Sequence, residues 1–178
     1  MCIIRGLNRD YGSVTAGNRG GELISPILTD PPETWRTLET VCEVAKWQGA
    51  QVNFDTGGHI HIGVENALAG KRQRWRRFFK MSSGFEDVFH KIAGGEQGVF
   101  RGVHDSHYTQ SARAQSHTGL VARMPDEADI HTFQSIIGNI GEDKYRSINL
   151  LPFASKETIE FRTFNGTLTP AVIQSNVK

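Results

Sequence analysis

Cysteine is scarce in this chain. Only Cys2 and Cys42 occur in 178 residues, far apart and in no C-x-x-C spacing, which excludes a disulfide framework and argues against a structural zinc site. An excess of one charge is also missing. The 20 Lys and Arg balance 19 Asp and Glu to a formal net charge of +1, so bulk attraction to nucleic acid or to a membrane surface has no basis. No apolar run approaches the roughly 18 residues of a membrane span. Met1-Cys2-Ile3-Ile4-Arg5 is too short to be a signal peptide. Internal repeats and low-complexity tracts are absent as well. The expectation is a soluble, cytoplasmic protein whose residues 1–178 form one domain, since domains run to about 100–200 residues.

What the chain does contain are strands and helices in alternation. Residues 22–28 are β-branched and apolar, with Pro26 ending the strand or holding it at an edge. Asp30 is placed to cap a helix that begins at Pro31, carries Trp35, Leu38, Val41, Cys42 and Ala45 on one face and stops at Gly49. Trp75, Phe78, Phe79, Phe85, Val88, Phe89 and Ile92 keep one apolar stripe through a second helical region, which Ser82-Ser83-Gly84 breaks in two. Residues 96–124 are polar and poorly periodic, as in a loop or lid facing substrate. Asp126 is placed to cap a helix with Ile130, Phe133, Ile136, Ile137 and Ile140 buried and Gly141 at its end. Residues 145–153 read as a strand, residues 155–157 as a turn, and residues 158–164 as the antiparallel partner, with a last helix from Thr169-Pro170. The fold class is therefore α+β: a mainly antiparallel β-sheet with helices on one face.

Two strands carry chemistry. In Gly57-Gly58-His59-Ile60-His61-Ile62-Gly63 the imidazoles project together and the isoleucines point behind. In Thr158-Ile159-Glu160-Phe161-Arg162-Thr163-Phe164, strict alternation puts Thr158, Glu160, Arg162 and Phe164 on one side and Ile159, Phe161 and Thr163 on the other. A His-x-His pair can supply two nitrogens to an ion, and a carboxylate from a neighbouring strand supplies an oxygen. Each signal alone has a bland reading: hydrogen-bonded sheet histidines, a solvated Glu–Arg pair, an exposed Glu22 at a strand start. Together, carboxylates and imidazoles beside a guanidinium point to a site for a metal and a phosphate.

Glu22-Leu-Ile-Ser-Pro-Ile-Leu, Gly57-Gly-His-Ile-His-Ile-Gly, Tyr145-Arg-Ser-Ile-Asn-Leu and Thr158-Ile-Glu-Phe-Arg-Thr-Phe-Asn-Gly-Thr follow one another in an order and spacing that resembles the amidoligase family, from Asp10 to the C-terminus. The resemblance implies a catalytic sheet like that of glutamine synthetase. It also implies ATP-dependent ligation, in which a small-molecule or peptide carboxylate is phosphorylated to an acyl phosphate that an amine attacks. Glu22, His59, His61 and Glu160 would then hold Mg²⁺ or Mn²⁺. Arg162 would contact the transferring phosphate, with Glu160 beside it, and Asn149 and Arg146 would face the same nucleotide site. The sequence departs from the family in starting after its G-x-E-x-E strand, with only Cys2-Ile3-Ile4 in that place, and its last helix reads as shortened. A sheet edge left open there would favour a homo-oligomer.

The run Lys71, Arg72, Arg74, Arg76, Arg77, Lys80 suits a solvated helix face better than a nucleic-acid surface, because it is short and the net charge is near zero. Two other functions fit parts of the pattern. A metal-dependent hydrolase would use His-x-His and the glutamates to activate water. A non-catalytic binding module derived from the ligase fold would need no complete ligand set.

Overall fold

Alternating imidazole and isoleucine give residues 57–63 two unlike faces, and in the computed structural model of the protein this run is the central strand of a five-stranded sheet. The structure describes residues 2–5, 22–52, 56–68, 71–93, 123–127, 129–138 and 146–178. The strands are β1 (Cys2–Arg5), β2 (Glu22–Ile24), β3 (Gly57–Gly63), β4 (Ile148–Asn149) and β5 (Thr158–Asn165), in the order β2-β1-β3-β5-β4. Every neighbouring pair is antiparallel. Helices α1 (Pro32–Trp47), α2 (Glu65–Leu68), α3 (Arg72–Gly84), α4 (Glu86–Ala93), α5 (Ile130–Gly138), α6 (Leu151–Lys156) and α7 (Pro170–Val177) complete the mixed architecture. The expected open edge is corrected: β1 lies between β2 and β3, and the outer strands of the described sheet are β2 and β4.

The apolar side of the sheet carries two cores. Trp75 and Phe79 of α3, Phe133 and Ile137 of α5 and Phe153 of α6 pack with Ile148 and Ile159, and the Trp75 and Phe153 rings meet edge to face at 5.0 Å. Cys42 of α1 and Ile173 of α7 pack with Ile60 and Leu168. Burying such large side chains is what drives the helices onto the sheet.

One irregularity overturns the strict alternation expected of β5. Gly58 opposes Phe164 but Ile60 opposes Phe161, so Arg162 and Thr163 together stand across from His59. The extra residue is a bulge, and it returns Phe164 to the apolar side, where it packs with Ile60. Phe164 does not share a side with Glu160.

Helix α4 also departs from expectation. Phe85, Val88 and Ile92, assigned to the buried stripe, are exposed, while Glu86, His90 and Ala93 are buried. Ser147 donates from Oγ to Glu86 Oε1 at 2.9 Å, and the Arg162 N–H donates to the Ser147 carbonyl at 2.9 Å as the next step of the β4–β5 ladder. That ladder gives Ser147 the side of Asn149 and Glu160, so α4 approaches the polar side and the helices do not all share one face. The Glu86 carboxylate can be buried here because Ser147 offers it a partner.

Three local expectations need correction too. Asp30 accepts a hydrogen bond from Trp35 Nε1 at 2.7 Å and does not cap α1, whose N-cap is Pro31 in an extended conformation. Asp129, not Asp126, caps α5, accepting the Thr132 N–H at 2.9 Å. Residues 151–156 turn into helix, because Pro152 has no N–H for a ladder and suits a first helical turn. As expected, Gly49 ends α1 at φ +82 and Pro170 opens α7; the break expected at residues 82–84 falls instead at Phe85, those three residues being helical in α3, and Val41 of the apolar face expected for α1 is exposed. The 96–122 loop, Ile140 and Gly141 lie outside the described residues.

Just past β5, the Gly166 N–H donates to the Thr56 carbonyl at 2.8 Å, and a Cβ on Gly166 would overlap the Thr56 side chain and stand 3.0 Å from its backbone carbon. Gly166→Ala is therefore expected to separate the entry of β3 from the exit of β5. A loss of about 1–3 kcal/mol is expected, read as a lower urea midpoint, and an unchanged midpoint would contradict the close approach.

Candidate functional site

Glu160 is the point where the polar groups of three strands meet. The register sets it opposite His61 on β3 and opposite Asn149 on β4. Its Oε1 lies 3.0 Å from His59 Nδ1, 3.0 Å from Arg162 Nη1 and 3.7 Å from His61 Nε2. Its Oε2 accepts a hydrogen bond from Asn149 Nδ2 at 2.5 Å. Asn149 Oδ1 in turn accepts the Leu151 N–H at 3.0 Å, which fixes the amide so that its nitrogen faces the carboxylate. His61 Nδ1 is 3.3 Å from Thr158 Oγ1. The Glu160 and Arg162 side chains are each only 7% exposed.

Burial alone would raise the Glu160 pKa. The His59 hydrogen bond, the Arg162 and His59 charges and the Asn149 hydrogen bond outweigh it and bring the carboxyl down to about 2. His61 is shifted down as well, first by burial and further by the charges of Lys156 and His59, against the pull of Glu160. The cluster thus keeps a carboxylate ionised beside a guanidinium with little water. A buried pair of this kind adds little net stability over a hydrophobic replacement, so its presence on the polar side of the sheet is a signal of function.

Of the residues singled out in the sequence, His59, His61, Asn149, Glu160 and Arg162 come together. Glu22 does not join them. It is exposed at the start of β2, opposite Arg5, which is opposite Gly57, so it lies two strands, roughly 10 Å, to the side of β3. Arg146 immediately precedes Ser147 and β4, and it makes no bond to Glu160; its Nε is buried without a hydrogen-bond partner among the described residues. Glu86 and His90 on α4 and Thr163 in the bulge are among the buried polar residues to which the sequence pattern assigns no role. The i, i+4, i+7 spacing of Glu86, His90 and Ala93 was a visible alternative stripe, hidden by the stronger apolar one. Nothing in the letters announced the bulge.

The donor types suit a divalent cation, but their geometry does not. Both Glu160 oxygens already accept hydrogen bonds, and a cation on Oε1 would abut the Arg162 guanidinium. Among the described residues no group of three or more His, Cys, Asp or Glu side chains is arranged to hold a metal ion. The basic run is also partly committed within the chain. Arg72 bonds to the Met124 carbonyl at 3.1 Å and to Asp126, Arg74 to the Asn66 carbonyl at 3.1 Å, and Lys71 pairs with Glu127 at 3.4 Å. Arg76, Arg77 and Lys80 are exposed on the same helix. No helix of the described residues is long and apolar enough to cross a membrane.

The Glu160 and His61 shifts set an acid limit. The Glu160 carboxyl falls from 4.5 to about 2 on folding, so the unfolded chain binds more protons between those values and stability drops with falling pH. The contribution, about 3 kcal/mol at 1.36 kcal/mol per unit, is complete above pH 4.5 and is lost toward pH 2. His61, lowered from 6.5, starts the decline below that pH because its proton also favours the unfolded chain. Urea midpoints measured from pH 7 to pH 3 should fall, and Glu160→Gln should flatten the part below pH 4.5; an equally steep fall in the variant would contradict the assignment.

A comparison with curated proteins finds no match, and a comparison with solved structures finds none. A family model described as "Putative amidoligase enzyme" matches residues 7–178, a span that takes in β2, β3, β4, β5 and every side chain of the Glu160 cluster. The chain belongs to this amidoligase family.

Proposed function

We propose that the protein is an ATP-dependent carboxylate–amine ligase of the cytoplasm, working through an acyl phosphate on a catalytic sheet like that of glutamine synthetase. Membership of the amidoligase family supports ligase chemistry in general. The observation that carries the finer reading is the buried Arg162 guanidinium, held 3.0 Å from an ionised Glu160. Joining a free carboxylate to an amine needs activation of the carboxylate. In the proposed reaction a carboxylate oxygen of the substrate attacks the γ-phosphorus of ATP, the bond to ADP breaks, and an acyl phosphate forms. The amine then attacks the acyl carbon, phosphate leaves, and the amine nitrogen loses a proton.

Phosphoryl transfer asks little covalent help of a protein and much positioning and charge stabilisation. Arg162 supplies that charge. Glu160 engages one of its nitrogens, which fixes the plane of the guanidinium, and its positive charge is what would meet the phosphate oxygens. Asn149 and His59 hold Glu160 in turn, so the arginine is pre-aimed and reorganises little during the reaction. The poorly hydrated cluster strengthens each of these interactions. Mg²⁺ or Mn²⁺ enters this proposal as the ion that accompanies the phosphates of ATP, and no step is assigned to it. The metal-hydrolase reading has no such support, because the described residues offer no metal cage.

The test is ADP release from ATP and Mg²⁺ with a panel of small-molecule and peptide carboxylates and amines. Arg162→Met is expected to lower kcat about a hundredfold or more, while the exposed Arg76→Met leaves it unchanged. Absence of both nucleotide affinity and ADP release in the folded protein would overturn the proposal.

A further inference from the structure

Thr163 has a hydroxyl that the fold gives nothing to do. The residue is 5% exposed, and its Oγ1 is buried without a hydrogen-bond partner among the described residues. An unsatisfied buried polar group costs on the order of 1–3 kcal/mol, and valine would occupy nearly the same volume without it. The position is not a packing accident of a regular strand. The bulge places Thr163 beside Arg162, both across from His59, and Arg162 in turn bonds to Glu160 on the polar side. Bulges recur where a strand must re-aim a side chain toward a site.

We propose that Thr163 is a ligand-binding residue whose hydroxyl, together with the Arg162 guanidinium, grips one anionic oxygen of an oxyacid group. The chemistry of the pair selects that class. A guanidinium only donates, and a hydroxyl has one proton to give, so the two converge on an acceptor rich in lone pairs and negative charge. Phosphoryl and carboxylate oxygens share this chemistry, and both occur in the proposed reaction. The ligand completes the hydrogen bonding that the protein alone leaves open, so Thr163 favours the bound state over the ligand-free one. The bulge is then a binding device, bringing two consecutive side chains to bear where regular alternation would present one.

The inference rests on the ligase reading, and the wild-type protein separates the two. If wild type neither binds a non-hydrolysable ATP analogue with Mg²⁺ nor releases ADP, the ligase reading fails and this inference with it. With wild type active, Thr163→Val is expected to weaken the protein about tenfold or more, by the strength of a hydrogen bond to a charged group. A loss in affinity for the ATP analogue marks a phosphoryl oxygen; a loss confined to the KM for the carboxylate marks that substrate. Thr163→Ser, which keeps the hydroxyl, should retain most of the wild-type value. The ligand-free Thr163→Val protein should keep or raise its urea midpoint, since it sheds an unsatisfied group. Unchanged affinity and KM in Thr163→Val, or a lowered urea midpoint that reveals a structural partner for the hydroxyl, would overturn the assignment.

Discussion

His59, Asn149 and Arg162 are arranged around one negative charge that is not allowed to be neutralised. The Glu160 carboxylate is removed from water, which by itself would favour its protonated form, and yet it is held ionised by Arg162, His59 and Asn149. Those donors come from β3, β4 and β5, so the charge also serves as a register pin. A one-residue slip of any of these strands would turn its contribution to the apolar side and leave a buried carboxylate short of partners, an error costing several kcal/mol.

The remainder of the fold supports that arrangement from behind. Ile60, Phe161 and Ile159 alternate with the polar set and anchor β3 and β5 in the apolar cores. Gly166 lets the chain leave β5 in contact with Thr56, next to the start of β3. On the polar side α4 tethers β4 through Glu86 and Ser147, and Ser147 holds the backbone of Arg162. A chain of hydrogen bonds thus runs from a helix to the backbone of Arg162. That helix is apolar on its outer face at Val88 and Ile92.

The misreadings in the sequence have a common physical origin. Asp30 and Asp126 both had the composition of caps, but each found a better partner elsewhere, Trp35 in one case and Arg72 in the other. The apolar stripe of Phe85, Val88 and Ile92 looked like a core because periodicity reports that a helix has two faces, without saying which of them meets a sheet whose near side is polar. Phe164 was given the wrong side because alternation assumes one residue against one, and β5 sets two against His59. Each error concerns a choice between local partners and distant ones, and distant ones are invisible in a local window.

The letters alone determined the identities and periods: His59 and His61 on one side of a strand, Glu160 and Arg162 on one side of another, glycines and prolines at the stops, and four motifs in the order of a ligase family. These follow from side-chain geometry two or four residues apart, which any short segment carries. Only the tertiary structure decided that the two ribbons are adjacent, that Asn149 closes the second carboxylate oxygen while Glu22 stays two strands away, that α4 turns Glu86 and His90 inward, and that a bulge sets Arg162 and Thr163 together across from His59. Those outcomes depend on strand register and on which burial the whole chain can satisfy at once, and neither quantity is written in any single stretch of sequence.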